Sequence, residues 1–332
     1  MTMNRRNGLA LLTACLALAG FGLSAAAFGE MDLRRVGILT FLDVRGEPTL
    51  ADEVGRLKSN LAEFGWIEGK NVSFEYRSAR GDPSKWAAAV GALAGLEVDV
   101  ILAASAPATR AAHKATRTIP ILGYDLTTDP VAEGYAQSYG RPGGNLTGVF
   151  LDAPAFAGKW FELLQEIVPD LSRVAVLWDP APGTTHLNAT RRIAASLKIK
   201  VQILEVRTSD DIERAFDSLG GQPQALIILP SPLLWYSSEQ LARLALEQRL
   251  PATSMSPYFA TAGGTISYGP DDKMTDKRYA YLTARVLEGA NPGDLPIERP
   301  TKFRLVLNLK TAKAIGMDIP QSVLFRADEV IR

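Results

Sequence analysis

The chain has 332 residues, of which 47% are hydrophobic and 22% are charged. This is the composition of a folded globular protein, and the length predicts about two domains. Lys and Arg number 36, as do Asp and Glu, so no basic excess indicates nucleic acid as a partner. The only cysteine is Cys15, which excludes a disulfide framework and a cysteine-based zinc site.

Residues 1–27 are predicted to be a cleaved export signal. Arg5 and Arg6 precede an uncharged apolar run over residues 8–23, and small residues follow, which is the order typical of secretory signals. We therefore expect the mature protein in the periplasm. An uncleaved anchor and acylation of Cys15 are the alternatives, and in both of them the globular part still crosses the membrane.

After the signal, short apolar runs alternate with helical periodicity. Residues 36–40 form the first predicted strand, and the apolar side chains of the next helix recur every three or four residues, which predicts one buried face. The following predicted elements are a strand over 72–76, a helix over about 84–95, a strand over 98–103, a helix from Pro107 and a strand over 119–123. This βαβα order predicts an α/β fold with a parallel sheet covered on both faces.

The pattern restarts after Phe150 and predicts a second doubly wound lobe. Its predicted strands cover 174–178, 201–206 and 225–229, with helical sequence between them. We expect residues 31–148 with about 271–300 in the first lobe, and 149–270 with about 301–332 in the second. A multi-strand hinge should join the lobes, with its rotation at glycines in two crossings: Gly143, Gly144, Gly148 and Gly269.

Four strand ends are followed by a Ser or Asp close to a proline. The pairs are Ser105 with Pro107, Asp129 with Pro130, Asp179 with Pro180, and Ser231 with Pro232. A side-chain oxygen and a proline in these positions start a helix. Each pair alone is explained by ordinary capping. Four of them at the carboxyl edges of two sheets favour a ligand site, because exposed N–H groups there attract anions.

No catalytic constellation is predicted. His113 and His186 are the only histidines, and both are expected at the surface. Nucleotide-binding glycine loops and a nucleophile elbow are not found in the sequence. Asp271 and Asp272 are interpreted as a helix start, because neighbouring residues do not face each other. We therefore predict no enzyme activity, no metal and no cofactor.

Six sequence blocks resemble the bacterial ABC-transporter substrate-binding proteins of the tryptophan/tyrosine type. They are residues 64–71, 115–121, 128–131, 141–148, 263–269 and 300–316. The resemblance implies a periplasmic-binding-protein type I-like fold, in which two Rossmann-like lobes joined by three crossings close on a small solute. It also implies an ABC permease of the inner membrane as partner, and we expect a monomer. Ser231-Pro232 and residues 253–257 depart from the common family pattern, which leaves the solute open.

For an amino-acid solute, the pattern of strand ends suggests which residues would bind it. The ammonium is assigned to Asp129 or Asp179, the carboxylate to Ser105 and the N–H groups after it, and the side chain to Phe41 with a tyrosine. The full predicted set is Thr40, Phe41, Ser105, Ala106, Thr127, Thr128 and Asp129 in the first lobe, and Asp179, Ser231, Tyr258 and Tyr268 in the second.

Two other functions fit the same fold. One is a ligand-sensing ectodomain that signals to a membrane partner, and the other is an extracytoplasmic hydrolase. A DNA-binding repressor is disfavoured, because the chain begins with an export signal and not with a helix-turn-helix.

Overall fold

The computed structural model describes residues 33–43, 46–151, 154–220 and 222–332, with the side chains of residues 154 and 155 left out. The predicted export signal, with Cys15, lies outside the described residues. Leu33–Arg332 form one compact unit. Within the described residues, none of the helices is both long enough and apolar enough to cross a membrane.

The first part of the described chain alternates strands and helices. Its elements are β1 (Arg34–Thr40), α1 (Pro48–Glu63), β2 (Val72–Ser78), α2 (Trp86–Ala94), β3 (Val100–Ala103), α3 (Ala106–Ala115), β4 (Ile121–Asp125) and β5 (Leu146–Phe150). The strands pair in parallel in the order β2-β1-β3-β4-β5. The predicted parallel sheet is confirmed, with β4 displaced by two residues from its predicted position.

The second part builds another sheet. Its elements are α4 (Pro154–Ile167), β6 (Arg173–Trp178), α5 (Thr185–Ser196), β7 (Lys200–Glu205), α6 (Ser209–Asp217), β8 (Ala225–Ile228), α7 (Pro232–Tyr236), α8 (Ser238–Glu247), β9 (Ala252–Ser254), α9 (Pro257–Thr261) and β10 (Ile266–Pro270). The chain ends with α10 (Asp272–Leu287), β11 (Phe303–Asn308), α11 (Leu309–Ala314), α12 (Gln321–Leu324) and β12 (Glu329–Ile331). The sheet order is β12-β11-β10-β9-β8-β6-β7, and only the β10–β11 pair is antiparallel among the described strands.

Helix α10 packs on the first sheet although it directly follows a strand of the second. Tyr279, Leu282 and Val286 of α10 share a core with Val36 and Leu102 of the first sheet. The Tyr279 hydroxyl also donates to the Leu122 carbonyl oxygen at 2.8 Å. Strand β11 then returns to the second sheet. Each sheet therefore depends on residues from both halves of the chain.

The predicted hinge glycines lie beside the points where the chain changes sheets. Gly143 and Gly144 precede β5, and the Gly143 N–H donates to the Gly293 carbonyl oxygen at 2.9 Å. Gly148 lies inside β5, opposite Gly123 of β4. Because β5 belongs to the first sheet, the chain crosses only after Phe150, downstream of these three glycines. Gly269 lies in β10, just before the chain passes to α10.

His186 differs from the sequence expectation, which placed it at the surface. Its side chain on α5 is buried, with 6% exposure, and its ring stacks on Trp160 with 6.4 Å between the centroids. Burial lowers the pKa of His186 to about 4, because the charged imidazolium loses its hydration. The helix carries His186 inward because Leu187 and Ala194 of the same helix also face the core.

This buried histidine is expected to destabilise the protein in acid. Its pKa in the fold is about 4 and its ordinary value is 6.5, so the unfolded chain binds more protons between these values. The free energy of unfolding should therefore fall as the pH falls through this window. The His186→Leu variant should lose less stability between about pH 7 and about pH 5 in urea titrations. An equal loss in both proteins would contradict the expectation.

Candidate functional site

A cavity of about 180 Å³ lies between the two sheets, at the carboxyl ends of their strands. Open α/β sheets bind ligands at this edge. The first sheet contributes residues after β1, β3 and β4, and the second contributes residues after β8 and β9, while α1 and α10 close one side. The predicted shared cleft is therefore present, although the helices α1, α7 and α10 also form its walls.

Six residues of the predicted set line this cavity. They are Thr40, Phe41, Ser105, Ala106, Thr127 and Ser231. Each lies at the carboxyl end of a parallel strand or within three residues after it, and this is why the strand pattern found them. Ser105 caps α3, because its Oγ accepts the Ala108 N–H at 3.3 Å, and Ser231 caps α7 through the Leu234 N–H at 3.1 Å.

The carboxylates assigned to the ammonium, Asp129 and Asp179, are not among the described residues of the cavity wall. Asp129 Oδ1 accepts the N–H groups of Val131 at 2.8 Å and Ala132 at 3.3 Å. Asp179 Oδ1 accepts the Ala181 N–H at 2.9 Å. Both side chains accept hydrogen bonds from their own turns. The helix starts predicted at these two residues are wrong, because residues 130–134 form a turn and α5 begins only at Thr185.

Thr128 is buried behind the cavity and supports Asp125. Its hydroxyl donates to Asp125 Oδ2 at 2.6 Å, and Thr127 donates to Oδ1 through its N–H at 2.9 Å and its hydroxyl at 2.7 Å. Burial raises the pKa of Asp125, and these hydrogen bonds oppose the rise. Asp125 therefore lies in the cavity wall with most of its acceptor capacity already used.

The two predicted tyrosines also lie outside the described cavity wall. Tyr258 accepts a hydrogen bond from Arg56 Nη2 at 3.0 Å through its hydroxyl. Tyr268 packs among aromatic side chains, with its ring centroid 5.7 Å from Phe156 and 6.3 Å from Phe303. Tyr268 thus packs against other aromatic rings, and Tyr258 contacts Arg56, which lines the cavity.

Acidic residues that the sequence analysis missed come from α1 and α10. Glu53 on α1 and Asp272 and Asp276 on α10 line the cavity. Burial raises the pKa of Glu53 to about 7 and, together with the Asp276 charge, raises that of Asp272 to about 6. Burial also raises the pKa of Asp276. Despite this cluster, the described residues contain no group of three side chains arranged to hold a metal ion.

Asp272 differs from the other two acids in its hydrogen bonds. No other residue in the described ranges donates a hydrogen bond to its carboxylate, whereas Asp276 Oδ2 accepts from Arg56 Nε at 3.1 Å. Asp271, next to it, caps α10 by accepting the Met274 N–H at 3.3 Å. The prediction of a helix start is therefore confirmed for both residues, because Asp271 caps α10 and Asp272 is its first residue, and Asp272 also lines the cavity.

Glu53 reaches across the cleft to the second sheet. Its Oε1 accepts the Trp235 indole N–H at 2.9 Å, and its Oε2 accepts the Tyr236 hydroxyl at 3.0 Å. Arg110 of α3 makes a second cross-cleft contact, to the carbonyl oxygens of Ala181 at 3.3 Å and Pro182 at 3.4 Å. These bonds hold the two sheets together around the cavity.

Thr40, at the end of β1, also lines the cavity, and its hydroxyl has no hydrogen-bond partner among the described residues. Thr40 is 4% exposed. A buried hydroxyl without a partner is costly. A polar group of a bound molecule would satisfy it.

Comparison with known proteins identifies the family. The model of the ABC transporter substrate binding protein family matches residues 35–331. A tyrosine-binding protein from Clostridioides difficile is 25% identical over 261 residues, which are 77% of this chain and 74% of the relative.

Two solved structures have the same fold. An ABC domain from Streptococcus pneumonia in complex with L-Trp is 23% identical, with a TM-score of 0.81 over 90% of this chain and 100% of that one. A ligand-free, open structure of a Clostridium difficile substrate binding protein with adhesive properties is 22% identical, with a TM-score of 0.61 over 90% and 99%. Because the family model matches residues 35–331 and the chain folds around a cleft, this protein belongs to the ABC transporter substrate-binding proteins, which capture small solutes outside the cytoplasm.

Proposed function

We propose that this protein captures an aromatic amino acid between its two lobes. One observation carries the proposal: a single cavity combines the Asp272 carboxylate, the Thr40 hydroxyl and aromatic walls. Its volume of about 180 Å³ is below the ~300–1,000 Å³ of drug-sized ligand sites. A single amino acid therefore suits it better than a peptide or an oligosaccharide.

Asp272 binds the ammonium group in this proposal. A buried carboxylate gains most from a cation that replaces its lost water, and Asp272 is not occupied by another donor. Asp276 and Glu53 add negative charge on the same side of the cavity. Arg56 offsets part of it but is already bonded to Asp276 and Tyr258.

The carboxylate binds on the side of the first sheet, at the start of α3. Helix N-termini attract anions because their first N–H groups point outward without partners. Ala106 is the first residue of α3, and Thr40 lines the same cavity with its unsatisfied hydroxyl. The Ala106 N–H is one of the groups that the sequence assigned to the carboxylate, and the Thr40 hydroxyl takes the place of Ser105 Oγ, which already caps the helix.

The aromatic ring of the solute packs against apolar walls. Phe41 follows β1, Trp235 and Tyr236 belong to α7, and Tyr124 belongs to β4, and all four line the cavity. Aromatic side chains bury large apolar area and prefer other rings as neighbours. The tyrosine-binding relative and the L-Trp complex support this choice of solute class.

Binding is coupled to closure of the lobes. A solute that contacts both sheets only in the closed form shifts the open and closed populations by that difference in affinity. The structure resembles the L-Trp complex, with a TM-score of 0.81, more than the open ligand-free protein, with 0.61. This difference supports a closed arrangement of the described chain.

The remaining parts of the proposal concern delivery. The solute leaves unchanged, passing to the ABC permease of the inner membrane from a periplasmic monomer whose export signal, residues 1–27, has been removed. The moving bodies are the two lobes as predicted, with α10 in the first and β11 in the second. Packing of α10 on the first sheet supports this division.

Calorimetry on the mature protein tests the solute class. L-Tyrosine and L-tryptophan should bind with a dissociation constant near ~1 µM, about 8 kcal/mol. Tyramine, which lacks the carboxylate, and 4-hydroxyphenylpropionate, which lacks the ammonium, should bind at least about tenfold more weakly. Equal affinity for all three tyrosine-like compounds, or binding only of non-aromatic solutes, would overturn the assignment.

A further inference from the structure

We propose that Glu53 is a cross-cleft positioning residue that holds the aromatic wall of the second lobe and thereby favours the closed form before any solute binds. The proposal does not depend on which solute the protein takes. It concerns the solute-free protein, so its failure would leave the proposed solute class untouched. A wrong solute class would likewise leave the role of Glu53 in closure untouched.

The geometry around α1 carries this inference. Glu53 and Arg56 lie one turn apart and face the cleft together. Glu53 accepts hydrogen bonds from Trp235 and Tyr236, and Arg56 donates to the Tyr258 hydroxyl. All three partners belong to elements of the second sheet's lobe, α7 and α9. One helical turn of the first lobe therefore bonds three aromatic side chains of the second.

The aromatic partners are also coupled to each other. The Trp235 and Tyr258 rings meet edge to face, with 5.9 Å between centroids. Trp235 and Tyr236 line the cavity, whereas Tyr258 is outside the described cavity wall. When the lobes separate, the Trp235 indole N–H and the Tyr236 hydroxyl lose Glu53 as acceptor. The wall that would contact a solute ring is thus positioned only in the closed form.

Burial of Glu53 adds a pH dependence to closure. Its pKa is about 7 in the closed form, raised by burial against an ordinary value of 4.5. The charged groups that face it are those of Arg56, Asp272 and Asp276. The tyrosine hydroxyls around it are those of Tyr124 in the first lobe and of Tyr236 and Tyr258 in the second. Between about pH 4.5 and about pH 7, Glu53 therefore holds more protons in the closed form than in the open form. Closure should strengthen as the pH falls from about 7 towards 4.5.

Distances between spin labels on the two lobes measure the closed population directly. The only cysteine, Cys15, lies in the predicted export signal, so Lys114→Cys and Arg192→Cys, both at exposed positions, provide two label sites in the mature chain. At about pH 6 the solute-free protein should populate the closed distance, and Glu53→Ala should lower the closed-to-open ratio at least about tenfold.

Two variants make the test specific. Glu53→Gln mimics the protonated acid, because its amide can accept from Trp235 and donate to Tyr236. The Glu53→Gln variant should keep the closed population of the parent. Its closure should no longer show the part of the pH dependence that comes from Glu53. Tyr236→Phe, which changes one hydroxyl on the other lobe, should lower the closed ratio without touching α1.

Glu63→Gln is the matched control on the same helix. Glu63 is bonded to Lys277 at 2.6 Å within the first lobe, so this change should leave the label distances unaltered. A solute-free protein that is fully open at about pH 6, or a Glu53→Ala variant as closed as the parent, would overturn the proposal. So would a Glu53→Gln variant with the pH dependence of the parent.

Discussion

Replacing Asp272 with Asn is expected to weaken the binding of L-tyrosine and L-tryptophan by about 2 kcal/mol or more, which is at least ~30-fold in affinity. The amide cannot balance the charge of an ammonium group that has lost its water. Calorimetry at about pH 8 is the appropriate measurement, because the Asp272 pKa of about 6 leaves the parent carboxylate ionised there.

Asp271→Asn provides the matched control for this substitution. It makes the same chemical change one residue earlier, where the side chain caps α10 outside the described cavity wall. Asn caps helices about as well as Asp, so both the affinity and the unfolding midpoint should stay close to those of the parent. An affinity that is unchanged in Asp272→Asn would remove this residue from the ammonium site.

Gly148→Ala is expected to lower the free energy of unfolding by about 3 kcal/mol. Gly148 has a φ of +144°, and a Cβ there would lie 2.0 Å from the Gly123 carbonyl oxygen in the neighbouring strand. That atom is backbone in the middle of the β4–β5 pair, so relief of the overlap requires the two strands to separate. Urea unfolding followed by circular dichroism measures the loss.

Gly144→Ala is the comparison from the same glycine-rich segment. A Cβ at Gly144 would meet nothing nearer than the Tyr135 carbonyl oxygen, at 3.9 Å. Its unfolding free energy should change by less than about 0.5 kcal/mol. If the two variants were equally stable, backbone crowding at Gly148 would not be the reason for a glycine there.

The strand ends were the informative part of the sequence for the site. Thr40, Ser105, Thr127 and Ser231 were predicted from their positions after apolar strands, and the fold brings all four to one cavity. This worked because the carboxyl ends of parallel strands lie at one edge of the sheet, whatever the details of packing. The strand-end pattern could not separate a residue that binds solute from one that bonds only to its own turn. Asp129, which was assigned to the ammonium, bonds to the N–H groups of its own turn.

The acidic residues of the cavity could not be derived from local pattern. Asp272 and Asp276 reach it only because α10 crosses to the first sheet, and that depends on packing between distant segments. Glu53 did carry a usable signal, because it lies between Leu50 and Val54 on the predicted apolar face of its helix. A charged residue in such a position is rarely buried without a partner.

The order of strands and helices could be predicted because it depends on local sequence. Alternation of apolar runs with helical periodicity is local, and the pattern correctly separated two α/β segments after residue 33. The antiparallel β10–β11 pair was not predicted, because strand direction depends on where the chain returns after α10. The glycines predicted the crossing before Phe150, whereas the chain crosses after it, and Gly148 instead allows the close approach of β4 and β5.

The late position of α10 and of β11 affects how the chain is made. During translation, the first sheet lacks its covering helix and the second lacks two strands until residues beyond Pro270 have left the ribosome. Neither core can be completed while synthesis continues.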